Sequence, residues 1–337
     1  MNPSILWSLL KQTVAEWQRD KVSRLAAALA YYTTFSLAPV LVIVIAIASF
    51  LFEQSTVQTR IIEQMQGLLG ENAAGLIEEM LTSRSASEDG LWATIISIGL
   101  LIAGASGLFI QLQDALNTVW NVVPREDQGI WKLVRDRLLS FGMVLAIGFL
   151  LLVSLMLSAG LTAVSTMFSD MLFGWDLGWQ ILNAALSFSI ITLLFGLIYK
   201  ILPDARISWG DVWIGAAITA LLFTLGKTLI GLYLGNSSVA SAYGAAGSFV
   251  VLLLWIYYSA QILLFGAEFT QVYANRFGSN IRPDSHAKFA PDATPDEKGT
   301  EDPDEPELPQ TRSEYRASKQ ARNKARNKTR KLNKHPQ

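Results

Sequence analysis

Six long apolar stretches divide the first 275 residues of the chain. As helices, each is long enough to cross a hydrocarbon core about 30 Å thick, which takes roughly 20 residues. The runs are continuous rather than alternating, so they predict helices rather than the strands of a membrane barrel. The predicted spans are 30–52, 91–112, 139–164, 179–201, 212–234 and 243–274. This pattern predicts an all-α polytopic membrane protein with six transmembrane helices.

Two other segments carry apolar residues at helical spacing. Residues 53–90 connect the first two spans and predict two short amphipathic helices on the outer surface of the membrane. Their apolar positions are Ile61, Met65 and Leu68, followed by Leu76, Ile77 and Met80. In residues 1–29 a similar stripe predicts an amphipathic segment on the inner surface. Its members are Leu6, Leu10, Val14 and Trp17.

The composition supports membrane insertion. Hydrophobic residues make up 51% of the 337 residues and charged residues only 16%, against about a quarter charged in soluble domains. Residues 276–337 hold 14 of the 27 Lys and Arg, so the remainder of the chain is poorer in charge than the average indicates.

The distribution of Lys and Arg predicts the orientation. Ten lie in the N-terminal segment and in the second and fourth connections, whereas the first connection has only Arg60 and Arg84. Because cytoplasmic loops carry the excess of Lys and Arg, both termini are predicted to be cytoplasmic. We therefore expect a multi-pass protein of the inner (cytoplasmic) membrane, with membrane lipids as its surroundings.

Residues 275–337 form a polar tail, acidic and proline-rich to about Glu307 and basic from Arg312 to Lys334. Such a segment has too little apolar surface to order itself, so it is predicted to be cytoplasmic and disordered. Its basic end has the charge to bind anionic lipid headgroups or RNA. Charge blocks of this kind more often favour the alternative, a solvated tail without a specific partner.

The residue inventory argues against most enzyme classes. The chain has no Cys, and its two His, His286 and His335, both lie in the tail. The motif around Ser106 resembles that of intramembrane serine proteases, but their chemistry needs a His near the serine. Gly226-Lys227-Thr228 resembles the end of a phosphate-binding loop, but Leu221 stands where the first Gly is required. We expect neither enzymatic activity nor a metal or other cofactor.

Small residues in two spans predict close packing between helices. Gly99, Ala103 and Gly107 recur every four residues in the second span, and Gly231 and Gly235 do the same at the end of the fifth. This spacing places small residues on one helix face, where a neighbouring helix can approach closely.

Three ionisable residues at membrane depth are candidates for function. Lys227 falls in the outer half of the fifth span, where it either binds an anionic group or extends to the interface as an anchor. Asp114 and Glu268 fall near inner span ends and are assigned to an inner gate or a cation contact. The alternative for these two is ion pairing with bases at a similar level, namely Arg24, Lys200 or Arg206. Lys227 and Glu268 are expected to be about 20 Å apart along the membrane normal.

Pro39 interrupts the hydrogen bonding of the first span and predicts a kink. Hydroxyl-bearing residues precede it, among them Tyr32 and Ser36, which are suited to satisfying freed carbonyl groups. A hinge or cavity wall and a static kink are equally consistent with this pattern.

Taken together, several stretches resemble the YihY/BrkB family of bacterial inner-membrane proteins. The matching residues are Ala26–Tyr32, Phe35–Pro39, Asp114–Trp120, Leu202–Asp204, Trp209, Gly215, Gly226–Lys227, Tyr233, Tyr243–Gly244, Leu254–Tyr257 and Gly266–Glu268. The resemblance implies a six-helix inner-membrane bundle, and solute or lipid export has been proposed for such proteins. The family once carried the name ribonuclease BN, but a zinc-dependent RNA hydrolase needs a His-rich site that this chain lacks.

The leading hypothesis is therefore a transporter-like or flippase-like protein that exports a solute or a lipid precursor. A non-catalytic membrane scaffold acting through the basic tail is the alternative. An RNA-processing nuclease is the least favoured.

Overall fold

The computed structural model describes residues 3–49, 53–69, 71–82, 91–125, 142, 176–236, 243, 246–278, 281–284, 287–291 and 293. The helices in this part are α1 Pro3–Arg19, α2 Val22–Ala48, α3 Gln54–Leu69, α4 Glu71–Thr82, α5 Leu91–Val119, α6 Asp176–Ile201, α7 Trp209–Asn236 and α8 Gly247–Phe277. The strands are β1 Val122–Pro124, β2 Ala205–Arg206, β3 Arg282–Pro283 and β4 Ala287–Phe289. The third predicted span lies outside the described residues, apart from residue 142.

Four of the described helices, α2, α6, α7 and α8, are long and apolar enough to cross a membrane. The second predicted span lies wholly within α5, a helix of 29 residues. The prediction of a mostly helical membrane protein is confirmed.

The helix that contains the first predicted span extends beyond it at the N-terminal end. The predicted span starts at Ala30, and the helix that contains it, α2, begins at Val22; the bounds of the span itself stay a prediction. Val22, Ala26 and Leu29 are buried in the core shared with α5, while Ser23 and Arg24 lower the local hydropathy that defined the predicted boundary.

Helix α8 is the central element of the described part, because it packs against α1, α2, α5 and α7. Its inner half is buried on nearly every side between Leu264 and Ala274. Apolar and small side chains predominate there, as expected of a helix surrounded by other helices.

Helices α3 and α4 occur where two short amphipathic helices were predicted. They do more than lie on a surface, because Val57 of α3 and Ile77 of α4 join a buried cluster with Ile45 of α2 and Leu252 of α8. In α1, Leu9 packs against Phe269 and Val272 of α8. Of the predicted stripe, Leu6 and Val14 are exposed, whereas Leu10 packs against this cluster and Trp17 packs against the main core.

Two short antiparallel pairs join the ends of three long helices. Strand β1 follows α5 and pairs with β4, while β2 follows α6 and pairs with β3. Because β3 and β4 both follow α8, the C-terminal ends of α5, α6 and α8 lie on the same side of the bundle. The predicted alternation of spans places these three ends together as well.

The prediction of disorder from the start of the tail is wrong for these strand residues. Val123 lies opposite Lys288, and Arg206 lies opposite Arg282. Ile281 and Ala287 are buried. The composition did not indicate this because short strands are stabilised by backbone pairing with distant segments, which leaves little trace in local hydropathy. Residues 294–337 lie outside the described part.

Candidate functional site

Glu268 lies at the centre of the bundle, with a relative exposure of 0%. Its neighbours along α8, Ala267 and Phe269, are also buried, and so is Leu264 one turn before it. A carboxyl group inside a membrane bundle is costly to bury, so such a group is a functional candidate by default.

A polar face extends from Glu268 along α8. Tyr257, Gln261, Glu268 and Asn275 are separated by four, seven and seven residues, which places them within about 20° of one line on the helix. The Gln261 amide donates a hydrogen bond to the Tyr257 hydroxyl over 2.7 Å, and Gln271 is buried beside this line. From Tyr257 to Asn275 the polar face covers about 27 Å at 1.5 Å per residue.

Lys227 is half-buried in the outer half of α7. It lies on the same helix face as Ala220 and Phe223, which pack against the rest of the bundle. Its ammonium group makes no hydrogen bond or ion pair with any residue that the structure describes. Both expectations for Lys227, binding of an anionic group and an interfacial anchor, stay predictions.

Glycines bring α7 and α8 into close contact. A Cβ at Gly215 would overlap the Thr270 side chain, and one at Gly266 would overlap the Thr219 hydroxyl. Further out, a Cβ at Gly226 would lie 2.6 Å from the Tyr258 hydroxyl. These positions were not among the predicted packing residues, because they do not recur at four-residue spacing within one helix.

The α7–α8 contacts also fix the relative levels of the two charged groups. They define an antiparallel register in which Glu268 lies opposite about Ala217, roughly ten residues inward of Lys227. At 1.5 Å per residue the separation along the helices is about 15 Å. As expected from the sequence, these two groups are too far apart for a direct salt bridge.

The part of α2 around Pro39 packs directly on α5. The Ser36 hydroxyl donates a 2.5 Å hydrogen bond to the carbonyl oxygen of Gly104. A Cβ at Gly104 would lie 3.1 Å from Pro39, and one at Gly107 would lie 3.4 Å from Tyr32. The structure therefore brings the three predicted residues Tyr32, Ser36 and Pro39 together at one helix crossing.

The predicted small-residue series have different surroundings. Gly107 contacts α2, whereas a Cβ at Gly99 would meet no atom within 4 Å. Gly231 and Gly235 lie in the last two turns of α7. The environments of Ala103, Gly231 and Gly235 are outside what the structure describes.

Asp114 and Glu268 lie in different environments, although both were assigned to the inner gate. Asp114 is exposed among the described residues, on the face of α5 that also carries Ile110. The buried polar residue near this end of α5 is instead Asn117.

Asn117 belongs to a buried polar network that the sequence reasoning missed. Its amide donates to the Asp204 carboxylate over 3.0 Å, and its carbonyl oxygen accepts from the Asp204 backbone N–H over 2.8 Å. Gln113 donates to the other carboxylate oxygen over 3.3 Å. Asn117 and Asp204 both occur in the family-like stretches, but only the fold shows that they meet.

The network continues to the strands at this end of the bundle. The backbone N–H of Asp284 donates to the Asp204 carbonyl over 2.9 Å, and Arg206 pairs with the Asp284 carboxylate at 2.7 Å. Lys200 donates to the Ile207 carbonyl and lies over the Trp209 ring. Lys200 and Arg206, two of the three bases proposed as partners of Asp114 and Glu268, thus have other partners.

Within the ranges that the structure describes, no three His, Cys, Asp or Glu side chains are grouped so that they could hold a metal ion. The arrangement instead offers a cation in the C-terminal half of α7 and a buried carboxyl group in the C-terminal half of α8, at different levels of the bundle.

A family model described as virulence factor BrkB matches residues 13–291 of the chain. The chain belongs to this family. The BrkB match begins in α1 and ends just after β4, so it includes the paired strands of the tail but not residues beyond 291. The resemblance drawn from the sequence is confirmed.

Similar BrkB-family proteins bear the description UPF0761 membrane protein. One from Aeromonas salmonicida is 28% identical over 261 residues, which cover 76% of this chain and 85% of the relative. One from Mannheimia succiniciproducens is 26% identical, with coverage of 76% and 86%. One from Pseudomonas aeruginosa is 30% identical over 74% of this chain, but only 58% of that relative is covered. No solved structure matches the chain.

Proposed function

We propose that this membrane protein is a transporter-like or flippase-like exporter of an anionic solute or lipid precursor. The observation that carries the proposal is the placement of Lys227 and Glu268 on two closely packed helices, in opposite halves of the bundle. Ionisable groups at such depth commonly mark substrate and ion pathways.

The two charged groups take different roles in this proposal. Lys227 binds the anionic group of the substrate in the outer half. Glu268 forms the inner gate or a cation contact, and the polar face from Tyr257 to Asn275 supplies hydrogen-bonding groups between mid-bundle and the inner end. Asp114, being exposed, contributes at the inner mouth.

The proposal includes six spans in the cell inner membrane, with both termini in the cytoplasm. It is supported by the asymmetry of Lys and Arg and by the strand pairs that unite the ends of α5, α6 and α8. A reporter that is active only in the cytoplasm, fused after Gln337, tests the orientation and should be active.

The test of transport is flux in liposomes. Full-length protein is reconstituted, and two movements are followed: translocation of a fluorescent anionic phospholipid and efflux of trapped radiolabelled phosphate. Lys227→Ala and Glu268→Ala are expected to reduce the flux at least tenfold, and Glu268→Gln separates loss of charge from loss of volume. Lys11→Ala and Glu63→Ala change exposed charges on α1 and α3 and serve as controls. If Lys227→Ala and Glu268→Ala fold and transport like the wild type, this assignment of sites is wrong.

A scaffold acting through the basic tail is the second candidate. The observation in its favour is that strands β3 and β4 pair the start of the tail with the bundle. Deleting residues 294–337 leaves the anchored strands intact. A scaffold would lose its function in this deletion, whereas a transporter would retain its flux.

A further inference from the structure

Three hydrogen-bond donors occur in the outer half of the α7–α8 contact, and none has a partner in the described part of the chain. The indole Nε1 of Trp255 is buried without a hydrogen bond. The Tyr258 hydroxyl makes none, and Lys227 contributes an ammonium group. Buried donors are normally satisfied, so the unpartnered indole of Trp255, with two half-buried donors beside it, needs an explanation.

The packing places these donors at one level. Gly226 has no side chain, and the Tyr258 hydroxyl occupies the space beside it. Gly226 directly precedes Lys227 in the chain. In the register of the α7–α8 contact, Lys227 lies level with Tyr258, while Trp255 is one turn further out. The Trp255 ring reaches back across this level, since its centroid is 6.2 Å from that of Phe223.

The chemistry of the three groups selects for an anion. Lysine offers only donors and a positive charge, and the indole nitrogen is a donor only. No Asp or Glu of α2, α6, α7 or α8 lies within two turns of this level, Glu268 being the first in the inward direction. These four helices therefore place no carboxylate beside Lys227.

We propose that Lys227, Tyr258 and Trp255 bind a phosphate group of the substrate. This inference rests on the proposed export function and specifies its substrate class. A phosphate presents three strong acceptor oxygens, one for each donor, whereas a carboxylate presents two. The phosphate comes either from a lipid headgroup or from a free phosphorylated solute.

Binding to purified full-length protein in a neutral detergent tests the proposal, with calorimetry as the readout. The probes are inorganic phosphate and a short-chain phosphatidic acid. Lys227→Gln, Tyr258→Phe and Trp255→Phe each remove one donor and keep most of the side-chain volume. Each is expected to weaken binding about tenfold or more, since hydrogen bonds to charged groups are strong. Lys11→Gln, Tyr273→Phe and Trp7→Phe are matched controls away from the site and should bind like the wild type.

The two probes distinguish the sources of the phosphate. If the variants weaken binding of both probes, a free phosphate group is sufficient for recognition. If only phosphatidic acid binds, and the variants weaken its binding, the site recognises the phosphate headgroup together with the acyl chains. The proposal is overturned if the wild type binds neither probe, or if the three folded variants bind both probes unchanged. Binding by a protein that gives no flux would support the site and contradict transport. The converse outcome is that the flux depends on Glu268 while the three donor variants bind both probes like the wild type. This result would contradict the phosphate site but not the transport function.

Discussion

At the scale of single residues, glycines, which have a hydrogen atom where alanine has a methyl group, determine how closely α7 and α8 approach each other. Gly215 and Gly266 each face a threonine of the other helix, and each threonine hydroxyl bonds to a carbonyl of its own helix. The Thr219 hydroxyl also lies 3.0 Å from the buried Tyr199 hydroxyl, which donates to the Leu263 carbonyl. A methyl group at either glycine has no space without moving this bonded set.

Gly266→Ala should therefore destabilise the protein by about 1–3 kcal/mol, the usual cost of overpacking a close contact. The added methyl overlaps Thr219 and lies 2.7 Å from the Tyr199 hydroxyl. Thermal unfolding in detergent measures the effect. Gly75→Ala is the control, because a Cβ there meets nothing within 4 Å and alanine favours the helix by about 0.5–1 kcal/mol. Equal unfolding temperatures for the two variants would contradict the packing described.

Asn117→Ala should cost about 1–3 kcal/mol, because it leaves the buried backbone N–H of Asp204 without its acceptor and removes a donor from the carboxylate. Asn183→Ala, on the exposed part of α6, should change stability by less than about 0.5 kcal/mol. Denaturant titrations of both variants make the comparison. A neutral effect at Asn117 would show that the network has no role in holding α5 to the α6–α7 connection.

The sequence identified some of these residues and missed others for a physical reason. Lys227 and Glu268 could be found because an ionisable side chain in an apolar run is anomalous by itself. Asn117 and Asp204 could not, since polar residues near span ends are ordinary. Trp255 and Tyr258 could not either, since aromatic residues within an apolar span are ordinary too. Their significance depends on which side chains meet across helices, which periodicity within one helix does not encode.

At the scale of elements, hydropathy located the long helices, and the amphipathic spacing located α3 and α4. It did not locate the strands, which have two or three residues each and include charged side chains. Strand β3, for example, consists of Arg282 and Pro283 and is held by pairing with Ala205 and Arg206. A backbone ladder between distant segments is set by the fold and not by local composition.

Cysteine cross-linking can test the strand register, and the absence of native cysteine makes the experiment clean. Val123 and Lys288 are direct cross-strand partners, whose Cβ atoms in antiparallel pairs are about 4.5–5.5 Å apart. The double variant Val123→Cys/Lys288→Cys should form a disulfide on mild oxidation, detected by mass spectrometry after proteolysis. Lys288→Cys combined with Leu229→Cys, in the outer half of α7, should not. Cross-linking in the second pair alone would contradict the register.

At the scale of the whole molecule, β3 and β4 pair the end of the described chain with the segments that follow α5 and α6. The BrkB match ends at residue 291, just beyond β4, so the family-like unit extends past the last helix. The sequence reasoning ended this unit at residue 274, because hydropathy falls there. Because the tail is rich in charged residues, its composition gave no indication of the paired strands β3 and β4.

Truncation should separate the two parts of the tail. Removing residues 294–337 is expected to leave the unfolding temperature in detergent nearly unchanged. Removing residues 279–337 also deletes β3, β4 and the Arg206–Asp284 pair, and should lower it by about 3 °C or more. The same temperature for both truncations would show that the strands add nothing to the stability of the bundle.

The position of β3 and β4 has a consequence for biogenesis. Strands β1 and β2 are synthesised long before their partners β4 and β3. Their backbone N–H and C=O groups therefore stay unpaired until the segment after the final membrane helix has left the ribosome. Completion of the inner end is thus a late event, and a nascent chain arrested before residue 281 should expose β1 and β2 to chaperones and proteases.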